Sequence, residues 1–235
     1  MTKQEFKEKL IKFGRTTKEA TKKTFKNFGK VITKPVTVSR ELVEPNGVIS
    51  GLVLMLIKCI VFLIWVYLWQ NSWGPFNNIF PTGVAVLFAI ISTLGLNLIE
   101  TLLIRGFSAL FRAKLNFKEA FVCVGIGSIY SLLVWILAYI LSFITIFASL
   151  AVLILFIPVP YIVTFAIIFH LAKGKNERKI FVYIFTRMFM MILNLATIGL
   201  FLFFFVSTLL SNIVDAIMNY INNLDIVKMI QQMFF

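Results

Sequence analysis

Acidic residues are scarce in this sequence, with ten Asp and Glu against 23 Lys and Arg in 235 residues. Charge of either sign is thin, at 14% of the chain, where a soluble domain carries about a quarter. Whole stretches have none. No Lys, Arg, Asp or Glu occurs between Lys58 and Glu100, or anywhere in 120–172. Charges so few and so segregated exclude a water-facing surface over most of the chain, whose solvent must be lipid. The sequence has one histidine, His170, and two cysteines, Cys59 and Cys123, both inside apolar runs. That excludes a disulfide framework and any His/Cys metal-ligand spacing. No Ser/His/Asp set, paired carboxylates or glycine-rich phosphate loop is present either. The expectation is a non-enzymatic chain without a cofactor.

Apolar residues fill 60% of the sequence, and 26 of them are Phe. A membrane-spanning helix needs about 20 apolar residues. Five such runs occur, near 48–69, 82–104, 120–141, 149–171 and 180–206. The fold class that follows is all-α: a polytopic membrane protein with five transmembrane helices and an amphipathic helix at each end. Residues 1–47 form a basic flanking region with a linker, 48–206 the membrane domain and 207–235 an amphipathic tail. Trp65, Trp69 and Trp73 gather around the uncharged loop after the first run, as interfacial aromatics do.

Basic residues set the orientation. Twelve precede the first run, four lie in 105–118 and five in 173–187, which leaves only Lys58 and Lys228 elsewhere. The alternate loops carry none. The positive-inside rule places the N-terminus and both basic loops in the cytoplasm and the C-terminus outside. The polar start predicts no cleavable signal peptide; the first span serves as a signal anchor. The locale is the cytoplasmic membrane, and the abundance of Phe, Ile, Lys and Asn points to a bacterial source.

In "FKEKLIKFGRTTKEATKKTFKNFGKVI", Phe6, Leu10, Phe13, Ala20, Phe25, Phe28 and Ile32 recur at spacings of three and four. Lys9, Lys12, Lys22 and Lys23 fall on the other side, and Glu5/Lys9, Glu8/Lys12 and Glu19/Lys23 stand at i,i+4. This pattern fits a helix lying on the anionic lipids of the inner leaflet. Topology and lipid together account for the basic charge, so no nucleic-acid partner is expected. Pro35 and Pro45 bracket a linker or short helix. Beyond the last run, Leu210, Val214, Ile217, Ile221, Leu224, Val227 and Ile230 form a stripe that rests on the membrane or docks on a partner.

Charges inside the spans are the candidate site. Lys58 lies on the order of 12–15 Å from the start of the first span by helical rise, and Glu100 roughly 6–8 Å from the inner end of the second. A Lys58–Glu100 ion pair supported by Asn97 is one arrangement; Arg187, in the fifth span, is the other candidate partner for Glu100. An unpaired charge there costs about 3 kcal/mol even on lenient scales. Pro158 and Pro160 kink the fourth span, and Asn194 stands ready to bond the carbonyls they free near Ile154 and Phe156. Gly47 and Gly51 open the first span. Cys123, Gly127 and Ser131 repeat every fourth residue on the third. Small residues at that spacing suit close helix packing.

The stretch "FRAKLNFKEAFVCVGIGSIYSLLVWIL", 111–137, carries Phe117, Lys118, Ala120, Phe121, Gly125, Gly127, Tyr130 and Ser131 in sequence. Together with five spans and Lys34-Pro35 before the membrane, this resembles the bacterial branch of the Yip (Ypt/Rab-interacting protein) family. The paired glycines usual in the loop of that family are replaced here by "AKLN". The resemblance implies an accessory or scaffold membrane protein that associates with another complex, such as an ABC exporter, or with itself. It carries over no catalytic residue. The alternatives are a small transporter or channel subunit, motivated by the intramembrane charges, and immunity against a membrane-active peptide.

Overall fold

The computed structural model describes residues 3–223, and among these every regular element is helical. Three helices precede the membrane domain: α1 (Lys3–Lys26), α2 (Phe28–Thr33) and α3 (Pro35–Val43). The first span is α4 (Gly47–Asn71). A short 3-10 turn, Gly74–Ile79, leads to α5 (Thr82–Ile90), which passes through one π-helical turn, Ile91–Gly95, into α6 (Leu96–Leu110). Then come α7 (Phe117–Ser142), α8 (Ile146–Phe156), α9 (Pro158–Leu171) and α10 (Asn176–Asn223). Five stretches are long and apolar enough to cross a bilayer: Gly47–Asn71, Thr82–Leu110, Phe117–Ser142, Phe147–Leu171 and Asn176–Ile221. The chain is an all-α, multi-pass membrane protein.

Local chemistry sets the boundaries. Asn46 Oδ1 accepts from Val48 N–H at the start of α4. Asn116 and Glu119 close a reciprocal capping box on α7. Thr145 Oγ1 accepts from Ala148 N–H at the start of α8. The fourth span breaks at Ile157, where Pro158 and Pro160 withdraw two helical donors. The last span does not stop near 206. It runs on as one helix to Asn223, because no proline follows Pro160 and no glycine follows Gly199. The stripe residues Leu224, Val227 and Ile230 lie outside the described residues.

Helix α7 is the centre of the bundle and its most buried span. It meets α4 almost backbone to backbone. A Cβ on Gly47 would stand 2.6 Å from the Lys118 carbonyl oxygen, one on Gly51 would overlap the Phe121 backbone, and one on Gly125 would come within 2.8 Å of the Gly51 Cα. On the opposite side, a Cβ on Gly127 would lie 2.5 Å from Thr164 Oγ1 of α9. Cys123 Sγ faces the Thr164 carbonyl at 3.5 Å. Around these approaches Leu54, Met55, Ile104, Val122, Ile126, Ile129 and Ile167 are fully buried. Ser131 is half-buried and faces the cavity described below.

The segment between the two early prolines is the short helix α3. Its Val38 and Leu42, with Val31 of α2, are buried in the same core, and α3 packs on α7 and α9. The Tyr130 hydroxyl donates to the Ile32 carbonyl at 2.5 Å, tying α2 to the middle of α7. In α1 the buried residues are Ala20 and Thr24, followed by Asn27 just past its end, and α1 packs on α4. Phe28 is half-buried against the core, while Phe13 and Phe25 point to solvent or lipid, as do Lys12 and Lys22. Glu19 takes Arg15 as its ion-pair partner at 3.0 Å, in place of Lys23. Lys23 Nζ instead donates to the Glu44 carbonyl at 2.8 Å. The side chains of Phe6, Lys9 and Leu10 are outside what the structure describes.

Candidate functional site

Three charged side chains from three spans converge inside the bundle. Lys58 comes from α4, Glu100 from α6 and Arg187 from α10. Each sits about ten residues from the basic end of its helix, so on the order of 15 Å along it. The π turn at Ile91–Gly95 inserts an extra residue just before Asn97 and Glu100 and so resets the face they present.

The carboxylate goes to arginine. Arg187 Nη2 stands 2.7 Å from Glu100 Oε1, with the two side chains 19% and 11% exposed. The Arg187 guanidinium also lies between two rings, 4.7 Å from the Tyr161 centroid and 5.3 Å from that of Tyr183. These cation–π contacts hold the planar fork in place. The Lys58–Glu100 ion pair is not formed, because α6 packs along α10 and α4 stands across the cavity. Lys58 is only 8% exposed. It makes no ion pair among the described residues, and its Nζ lies 6.0 Å from the centroid of the Phe62 ring. Arg187 Nε is likewise buried without a hydrogen-bond partner.

The two asparagines turn inward on their own helices. Asn97 Nδ2 donates to the Thr93 carbonyl at 2.5 Å, so it does not support Glu100. Asn194 Nδ2 donates to the Met190 carbonyl at 2.7 Å and leaves the kink in span four alone. Thr164 Oγ1, one turn further along α9, takes the Pro160 carbonyl at 2.8 Å. A side chain one turn from a carbonyl reaches it with little loss of rotamer freedom, which explains both choices. His170 is half-buried near the basic end of α9 and stands apart from the cluster.

The three charges line a cavity of about 620 Å³. Its walls on the far side of the charges are aromatic: Trp65, Trp69, Phe88, Trp135 and Phe201. Trp69 stacks on Phe205 at 5.4 Å and Phe88 on Phe201 at 4.1 Å, which locks α10 to α4 and α5 above the charges. Lining residues Ile157, at the α8–α9 break, and Ile198 and Leu202 of α10 are exposed, so the cavity reaches the outer surface of the bundle on that side, and the exposed Trp135 of α7 marks a further edge. Sequence reasoning missed this space and Tyr161 with it, since nothing in a linear pattern says which aromatic of the neighbouring span faces an arginine; Tyr183, four residues before Arg187 on α10, was within reach of the i,i+4 rule and was overlooked. Among the described residues no three His, Cys, Asp or Glu gather as a metal site.

The chain matches no protein-family model, no curated protein and no solved structure.

Proposed function

We propose that the chain is a non-enzymatic accessory subunit of the cytoplasmic membrane, basic end inward, that holds a ligand within the bilayer for a larger membrane system. The observation that carries this reading is the Lys58–Glu100–Arg187 cluster opening into a cavity of about 620 Å³. Ionisable side chains inside membrane helices are costly and mark ligand or ion sites. The cavity size falls within the roughly 300–1,000 Å³ of small-molecule sites. The likeness of 111–137 to bacterial Yip proteins supports an accessory role, with an exporter as the partner it implies. Self-association is the other form such a role takes.

Purification in mild detergent followed by mass spectrometry of both proteins and small molecules tests the reading. A reproducible partner together with a bound small molecule is the expected result. A monodisperse particle that carries neither overturns it.

A second reading, a small transporter subunit, draws on the Pro158/Pro160 break and the π turn, both of which border the cavity. Broken spans around a mid-membrane site are how many carriers are built. Solute flux in proteoliposomes that disappears with Glu100→Gln supports it; flux unchanged by that substitution removes it.

A further inference from the structure

We propose that the ligand is an amphiphile with one acidic headgroup, a carboxylate or phosphate, which enters from the bilayer on the side of Ile157 and α10 and sets that headgroup against Lys58 and Arg187. This rests on the reading of the cavity as a ligand site and names what it takes.

Charge comes first. The cavity wall bears two cationic side chains, Lys58 and Arg187, and one carboxylate, Glu100. Only one cation is matched, so the site is one positive charge in excess. In a membrane interior that excess is unfavourable until an anion or water meets it. An organic cation would worsen the imbalance, and a neutral lipid would leave it.

The donors come second. Lys58 Nζ has neither an ion pair nor a hydrogen bond among the described residues, though the side chain is more than nine-tenths buried and lines the cavity. Arg187, whose Nε is buried and unpartnered, lines the same cavity from α10. An ammonium and a guanidinium facing one cavity are the usual partners of carboxylate and phosphate oxygens.

Shape comes third. Beyond the charges the wall includes Trp65, Trp69, Phe88 and Phe201, an apolar surface that suits an alkyl chain. The mouth is flanked by exposed Ile157, Ile198 and Leu202, which lie mid-span and face hydrocarbon. On the other side of the charges, fully buried Leu54, Met55 and Ile104 close the route to the basic end. A solute reaching the charges must therefore pass through lipid and carry both an apolar body and an anionic head.

Three of the four tryptophans, Trp65, Trp69 and Trp135, line the cavity and report on its contents. The full chain in nanodiscs of zwitterionic lipid is titrated with a brominated fatty acid, with brominated phosphatidylglycerol, and with the uncharged methyl ester of the same fatty acid. Saturable quenching by an acidic probe is expected, with the ester weaker by about tenfold or more, as the loss of a charge-assisted hydrogen bond implies. Lys58→Met should weaken the acid by a similar factor and leave the ester unchanged, and Lys58→Arg should restore it. Whichever acidic probe binds more tightly identifies the source of the headgroup, free fatty acid or phospholipid.

Equal affinity for acid and ester overturns the acidic headgroup while leaving a ligand site in place. So does tighter binding of a brominated alkylamine. The absence of saturable quenching by every probe overturns the ligand site itself. The comparison of acid with ester on the unsubstituted chain decides the question whether or not Lys58→Met folds.

Discussion

Arg187 and Glu100, 87 positions apart in sequence, meet at 2.7 Å inside the bundle and join α10 to α6. With Tyr161 and Tyr183 around the guanidinium, this is the main polar tie between the last span and the rest. Its removal has a defined signature. Glu100→Gln leaves a buried guanidinium without its counter-ion and should destabilise the chain by about 3 kcal/mol. Arg187→Met should do the same, and the double substitution should lose less than the sum of the two. Unfolding of the purified protein in a denaturing detergent titration measures this. Additive losses would show that the two side chains are not coupled.

The α4–α7 contact is built on hydrogen atoms where side chains would normally stand. Gly51→Ala forces a methyl group into the Phe121 backbone and should destabilise by about 1–3 kcal/mol, as overpacking does. Gly106→Ala, on an exposed face of α6 with no atom within 4 Å of its added Cβ, is the control. It should be neutral or stabilising by about 0.5–1 kcal/mol through helix propensity. Thermal melts of the two variants side by side check the contrast; equal losses would mean that the close approach is absent.

The α6–α7 connection holds two residues in the left-handed region, Arg112 at φ 56° and Lys114 at φ 51°. Both side chains are exposed, so little packing is lost if they are removed. Lys114→Gly should relieve backbone strain and stabilise by about 1 kcal/mol. Gly174→Ala should act in the opposite direction, because a Cβ there would meet the Ala113 Cα at 2.8 Å in the neighbouring connection. The melting temperatures of the two variants should move apart; a fall with Lys114→Gly would count against the strain.

The spans were legible because uncharged runs of twenty or more residues have few other solutions. The glycines at 47, 51 and 127 were legible for a related reason, since small residues at fourfold spacing stack on one face of a helix. The partner of Glu100 was not. Lys58 and Arg187 lie at similar depths, and depth comes from counting residues while facing comes from how helices rotate against one another. The π turn at Ile91–Gly95 alters that rotation and leaves no mark in composition. Asn97 and Asn194 read as cross-helix donors, yet each has a carbonyl of its own helix within reach. The stripe that begins on α1 divides between two surroundings: Ala20 and Phe28 turn to the rest of the protein, while Phe13 and Phe25 stay exposed.

The unbroken length of α10 gives the charge cluster a mechanical reach. From Arg187 to Asn212 the helix is roughly 38 Å of uninterrupted rod, and to Asn223 roughly 54 Å. The rod has two bearings: the Glu100 carboxylate near one end, and the Ile79 carbonyl, which accepts from Asn212 Nδ2 at 3.0 Å, towards the other. A tilt of about 5° about Arg187 would swing Asn223 by roughly 5 Å and pull at the second bearing on the way. Whatever displaces the arginine thus acts as a crank, and its motion emerges on the far face of the bilayer.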